Sequence, residues 1–239
     1  MNIHLALWRY SCSVMQKITA AIELMRIDKP IGIYLLLWPA LLTLIVSTQG
    51  NFTLLQLGIV IIGSILVRSA GCVINDIWDK DIDGNVERTK FRPIPSKRIS
   101  LTEAWLLFIC LGAFSIYLLT LTNINTMLVS ILFAILIVIY PLTKRFFIGP
   151  QLFLGLTFNP TVIVYAMTEE LNNPTMGYLF FAIASQTIAF DSFYGLCDEK
   201  DDRDLKVNST PIWWGKNTLK IIACFQISSI LLLGMIGLI

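Results

Sequence analysis

The sequence predicts an all-α fold: a polytopic membrane helical bundle of about seven transmembrane helices with a repeated helix-pair pattern. Three observations lead there. The 239 residues are 56% hydrophobic and only 14% charged, with a mean hydropathy of +0.72. Soluble domains carry about a quarter charged residues, so this chain lacks the polar surface to face water on all sides. Seven stretches are apolar over the roughly 20 residues that a helix needs to cross the hydrocarbon core. Finally, the basic residues sort to one side of such an arrangement.

Taken in order, residues 1–29 lack the basic end, apolar block and cleavage site of a signal peptide, and read as a cytoplasmic, interfacial amphipathic segment. The expected spans follow at roughly 31–48, 54–75, 103–121, 124–142, 150–167, 176–196 and 218–239. Short connections with little charge, "STQGN", "TNINT" and "TEELNNPT", alternate with longer charged ones. Arg9, Lys17, Arg26 and Lys29 precede the first span; Lys80, Arg88, Lys90, Arg92, Lys97 and Arg98 follow the second. Lys144 and Arg145 follow the fourth, and Lys200, Arg203, Lys206, Lys216 and Lys220 surround the connection between the last two. All of these fall on one side, which the positive-inside rule makes cytoplasmic. The remaining basic residue, Arg68, lies inside the second span, where a charge is costly and faces a bundle interior or a watery cavity. The five cysteines form no zinc-like or CxxC pattern and read as packing residues. The net charge of +2 says nothing about partners, since its distribution matters more than its sum; no nucleic acid is expected and nothing marks a protein partner.

Nine of the sixteen carboxylates crowd into two places: Asp76, Asp79, Asp81 and Asp83, then Asp198, Glu199, Asp201, Asp202 and Asp204. Charge runs are ordinarily solvated faces, but three features favour a site. Asn75, Asp79 and Asp83 are four apart, as are Asp198 and Asp202, so each set stacks on one helix face. Oxygen-only ligands without His or Cys suit a hard ion such as Mg²⁺. Arg68 precedes Asn75 by seven residues and Asp191 precedes Asp198 by seven, about two turns, with Tyr194 between the latter pair. The chain also reads as a repeat: "KPIGIYLLLWPAL" and "GPQLFLGLTFNPTV" open spans one and five, and a site is expected where the halves meet. Acidic faces loaded with magnesium would grip a diphosphate, with Lys and Arg completing the neutralisation. The residues themselves thus reach a membrane enzyme handling a lipid diphosphate.

"NDIWDKDIDGNVERTKFRPIPS" resembles the NDxxDxxxD motif of the UbiA superfamily of intramembrane aromatic prenyltransferases, and "DSFYGLCDEKDDRDLKVNST" resembles its second Asp-rich motif. "RIDKPIGIYLLLWPALLTL", "RSAGCVINDIWD" and "YPLTKRFFIGPQLFLGLTFN" are similar to the 4-hydroxybenzoate polyprenyltransferase branch. The resemblance runs from about residue 22 to the end. It implies an all-helical fold with a central cavity, and a Mg²⁺-dependent reaction of ubiquinone biosynthesis in which a polyprenyl diphosphate ionises and the cation attacks 4-hydroxybenzoate beside its hydroxyl. Carried over by position, Asn75, Asp79 and Asp83 hold one magnesium, and Asp198 and Asp202 another. Asp76 and Asp201 support them. Arg68 and Asp191 line the aromatic-acid end, Lys144 or Arg145 contacts diphosphate or carboxylate, and Tyr194 faces the reacting cation. Lys144 and Arg145 read equally as anchors ending span four. The implied location is a bacterial inner membrane with the Asp-rich motifs on the cytoplasmic side, the bilayer being the lipid substrate's solvent.

The chain departs from the family pattern at Gly195, where Ala is usual, at Cys197, and at Lys206 and Asn208, which replace Gly and Lys. The family typically has nine spans, so a domain over 30–239 is expected to be incomplete at its C-terminus, with low turnover if part of the bundle wall is missing. A relative with another aromatic acceptor and an inactive remnant are the nearest alternatives. A transporter fits poorly because the acids cluster at one membrane face, and the DGxxAR spacing of CDP-alcohol phosphotransferases is absent.

Overall fold

Hydropathy places the helices, and the computed structural model describes residues 3–84, 87 and 89–238, with backbone alone over 3–13. Arg88, counted above for orientation, lies outside them. The helices are α1 (Ile3–Leu24), α2 (Ile31–Thr48), α3 (Leu54–Trp78), α4 (Lys80–Asp83), α5 (Leu101–Leu119), α6 (Ile124–Thr143), α7 (Pro150–Thr157), α8 (Thr161–Met167), α9 (Thr175–Asp204), α10 (Thr210–Trp214) and α11 (Thr218–Ile236). No strand occurs among the described residues. Six segments among these are long and apolar enough to cross a membrane: α2, α3, α5, α6, α9 and the run Thr210–Ile236. Large apolar side chains such as Leu106, Ile109 and Phe114 on α5 and Leu128, Ile131 and Leu132 on α6 stand exposed, as lipid-facing residues do. The protein is an integral membrane protein.

The expected fifth span is helical but divided. Asn159 and Pro160 interrupt it, and neither α7 nor α8 is long enough to cross alone. Proline lacks a donor and disfavours helical backbone in the residue before it, which accounts for the break. Asn159 Oδ1 accepts from the Thr161 amide at 3.1 Å, and its Nδ2 donates to the Phe180 carbonyl on α9 at 2.9 Å. A joint with exposed backbone polar groups would be untenable in hydrocarbon; this buried asparagine satisfies the Thr161 amide and ties the joint to α9. The two pieces still make one crossing. At one end, Asn123 before α6 donates from Nδ2 to the Ala166 carbonyl of α8 at 2.8 Å. At the other, the Asn208 amide beyond α9 donates to the Lys144 carbonyl beyond α6 at 3.0 Å. The α7–α8 pair therefore spans the same depth as α6.

Two compact units divide the chain: Met1–Tyr34 with Ile65–Ser115, and Leu35–Ser64 with Ile116–Ile239. The first buries Ala20 and Leu24 of α1 and Val73, Ile74 and Ile77 of α3, while Met15, Ile18 and Ile22 of α1 remain exposed. Trp78, Trp105 and Phe108 meet edge to face with centroids 6.3 and 5.9 Å apart. Ion pairs Lys17–Glu103 and Arg98–Glu23 tie α1 to the start of α5 and the loop before it. In the second unit Ala40, Leu44, Val60 and Val164 form one apolar cluster, and Tyr165, Leu179 and Ile183 another. Four cysteines are free thiols; of these Cys72 is buried and Cys110, Cys197 and Cys224 are exposed, so packing explains the first alone.

Gly155 lets α7 approach α9 closely, since a Cβ there would lie 2.8 Å from Ile188 Cδ1 and 2.9 Å from the Ala184 carbonyl oxygen. Small residues permit such contacts between membrane helices. Gly155→Ala is expected to lower unfolding stability in detergent by about 1–3 kcal/mol, whereas Gly177→Ala, which meets nothing within 4 Å, is expected not to.

Candidate active site

The first acidic stretch lies where α3 gives way to α4. The backbone kinks at Asp79, with φ −90 and ψ 7. Even so, the Asp79 amide donates to the Asn75 carbonyl at 2.9 Å and the Asp83 amide to the Asp79 carbonyl at 2.8 Å. Helical register survives the kink, keeping Asn75, Asp79 and Asp83 in one row. Asn75 Nδ2 donates to Asp79 Oδ2 at 3.2 Å.

Asp76, Asp79 and Asp83 are all buried. Two guanidinium groups compensate Asp76: Arg26 Nη2 reaches both of its oxygens at 3.0 Å, and Arg92 Nη1 reaches Oδ1 at 3.1 Å. Arg92 Nη1 also donates to Asp83 Oδ2 at 2.6 Å, and Thr89 Oγ1 to the Asp83 carbonyl at 2.9 Å. Burial disfavours charge on Arg92, but Asp76 and Asp83 outweigh it and raise the guanidinium pKa above its ordinary value. Sequence reasoning assigned neither Arg26 nor Arg92 a role; both are remote from Asp76 in sequence and meet it only in the fold. Asp76, expected as a supporting or substrate-binding acid, is the hub of this clasp. Two turns back on α3, the guanidinium of half-buried Arg68 lies against Gly32 of α2.

The second stretch is the far end of α9. Thirty residues give a helix about 45 Å long, exceeding a hydrocarbon core of about 30 Å, so the acidic turns extend beyond it. Asp191, Asp198, Asp201 and Asp202 are half-buried on this one helix, and Tyr194 is 56% exposed with its ring 5.0 Å from Phe190. Lys144, Ser209, Asp198 and Asp201 surround Asp202. Arg145 is exposed, while Glu199 pairs with Arg203 at 2.7 Å and Asp81 and Asp204 face solvent. The returning loop is pinned: the Thr210 amide donates to Gln151 Oε1 at 2.9 Å, and Ser192 and Thr210 share a hydroxyl hydrogen bond at 2.7 Å. Those pins hold the segment carrying Ser209, and the Asn208 amide ties it to the Lys144 carbonyl at the end of α6.

α9 ends in a Schellman motif, with Val207 donating to the Asp202 carbonyl and Lys206 to the Arg203 carbonyl. Lys206 occupies the left-handed position at φ 54, where glycine is favoured. Arg26 plays the same part after α1, at φ 58. From that position its guanidinium reaches both oxygens of Asp76.

Both stretches offer hard oxygen donors. Among the described residues no three of His, Cys, Asp and Glu converge into a ready-made metal cage. That donor set fits Mg²⁺, which is bound through one or two carboxylates and completes its shell with water and phosphate oxygens. Asn75, Asp79 and Asp83, and Asp198 with Asp202, are residues whose oxygens could hold a divalent ion.

The profile of the UbiA prenyltransferase family matches residues 36–239. A 4-hydroxybenzoate octaprenyltransferase of Psychromonas ingrahamii is 43% identical over 228 residues, 93% of this chain and 78% of its own length. Among solved structures, a UbiA homolog from Aeropyrum pernix K1 superposes with a TM-score of 0.75 at 27% identity, covering 84% of this chain and 76% of that one. One from Archaeoglobus fulgidus, bound to GPP and Mg²⁺, has a TM-score of 0.72 at 18% identity over 92% of this chain and 78% of its own, a likeness of fold.

Lys206→Gly is expected to stabilise the protein by up to about 1 kcal/mol, by relieving left-handed strain. Arg26→Gly relieves the same strain but removes one of the two guanidinium groups that compensate buried Asp76, so a net loss of about 2 kcal/mol or more is expected. Thermal unfolding in detergent checks both.

Proposed function

The chain belongs to the UbiA prenyltransferase family, and on that premise we propose that it is a 4-hydroxybenzoate polyprenyltransferase of ubiquinone biosynthesis. Its likeness to the Psychromonas ingrahamii octaprenyltransferase over 93% of the chain is the observation that carries this reading. The allylic C–O bond of a polyprenyl diphosphate breaks, its electron pair leaving with the diphosphate. A ring carbon beside the hydroxyl of 4-hydroxybenzoate then bonds the allylic carbon and gives up its proton. Magnesium, when bound, offsets the charge that develops on the departing diphosphate.

The chain's residues divide the remaining work. Asn75, Asp79 and Asp83, with Asp198 and Asp202, supply the oxygen ligands; Asp76 and Asp201 support them. Arg92, which already holds one oxygen of Asp83, fixes that carboxylate's orientation. Lys144, with Arg145 as the alternative, neutralises diphosphate oxygens. Arg68 and Asp191 bind the acceptor, Arg68 taking the carboxylate in charge-assisted hydrogen bonds. The Tyr194 ring presents its negative face to the allylic cation. The basic residues sorted to one side support an inner-membrane protein with its acidic ends at the cytoplasmic face.

Membranes carrying the protein are expected to join radiolabelled 4-hydroxybenzoate to a polyprenyl diphosphate in the presence of Mg²⁺. EDTA, Asp79→Ala or Asp198→Ala is expected to reduce product by about 100-fold or more; transfer that survives metal removal would sink the reading. Because no three acids among the described residues converge in advance, Mn²⁺ used as a paramagnetic probe should bind at least about tenfold more tightly once pyrophosphate is added.

A further inference from the structure

We infer that Gly32, in the KPIG turn opening α2, is a positioning residue for the acceptor: its missing side chain is the space that sets where the Arg68 guanidinium lies. The inference rests on the reading of Arg68 as the acceptor's carboxylate ligand. A Cβ built on Gly32 would fall 2.5 Å from Arg68 Nε, 2.6 Å from Nη2 and 2.9 Å from Cζ. Three atoms of one guanidinium fill the place of a single methyl, so the two cannot coexist.

Backbone geometry does not require this glycine. Gly32 is helical and is not among the positive-φ residues. Helical glycine weakens a helix relative to alanine, and Gly58 and Gly63, with open space around them, mark positions where nothing crowds a Cβ. At Gly32 the space is occupied by a charged group. Pro30 fixes this end of α2, its carbonyl accepting from the Ile33 amide at 2.9 Å and the Tyr34 amide at 3.0 Å, so the backbone cannot easily yield. The first turn of α2 also carries the positive end of the helix dipole, so a carboxylate held there by Arg68 is favoured twice.

A methyl at position 32 would therefore displace the far end of a flexible side chain, leaving packing nearly undisturbed. The guanidinium would move by about 1 Å, a misplacement that can cost about 100-fold in a reacting complex. Such a substitution touches acceptor recognition and spares the fold.

Gly32→Ala, Gly32→Ser, Gly63→Ala and Arg68→Ala are compared in membranes with both substrates varied, alongside equilibrium binding of 4-hydroxybenzoate to the purified proteins and their thermal midpoints. The expected result is a KM and Kd for 4-hydroxybenzoate raised about 10- to 100-fold in Gly32→Ala. The KM for the polyprenyl diphosphate and the thermal midpoint should stay near those of Gly63→Ala. Gly32→Ser, with a side chain of similar reach, should follow. If Arg68→Ala weakens 4-hydroxybenzoate while both Gly32 variants match Gly63→Ala, the inference is overturned and the role of Arg68 stands. Unchanged acceptor binding in Arg68→Ala overturns both. If both Gly32 variants unfold, or the two substrates weaken together, Gly32 is structural and the inference falls.

Discussion

Burying Asp76 is affordable only because Arg26 and Arg92 close around it from two directions, and the polar end of the first unit is organised by that requirement. A lone carboxylate out of water costs several kcal/mol, which geometry and extra hydrogen bonds must offset. Here one guanidinium comes from the turn after α1 and the other from the loop before α5. Each segment is thereby anchored to the end of α3, and Arg92 extends the anchorage to Asp83. The residues between, Asp79 among them, are held in place by this frame.

That frame also bears on how the acids are used. A carboxylate oxygen engaged by Arg92 at 2.6 Å is both oriented and partly neutralised. Mg²⁺ takes few protein ligands where a phosphate brings its own oxygens; on the reading proposed above, a row of acids already restrained by arginine would suit an ion that arrives with its substrate. The second unit reaches a comparable end by different means. A pinned loop, with Gln151 and Ser192 both holding Thr210, keeps Ser209 near Asp202, and the Asn208 amide joins that loop to the Lys144 carbonyl.

Much of this was legible in the residues. Apolar length marked the crossings, the four-residue spacing marked the acidic rows, and the kink at Asp79 did not disturb them because the backbone hydrogen bonds run through it. Thr53 with Gln56 and Ser100 with Glu103 form reciprocal caps opening α3 and α5, a spacing that the sequence displays openly. Asn159-Pro160 carries a signal for the break in the fifth crossing, which the apolar run over 150–167 masked. Other features could not be read. Arg26 and Arg92 reach Asp76 across 50 and 16 residues, and no local pattern pairs them. Helix ends at Arg26, Gln49, Glu169 and Lys206 adopt the left-handed backbone that glycine normally signals, so their stop signals were silent.

The interruption between α7 and α8 has a consequence for biogenesis. Segments of eight and seven residues are too short to partition into a bilayer independently. The Asn159 side-chain amide finds its acceptor in the Phe180 carbonyl, which belongs to a helix synthesised afterwards. The crossing is therefore completed out of the order in which it leaves the ribosome, once α9 packs beside it.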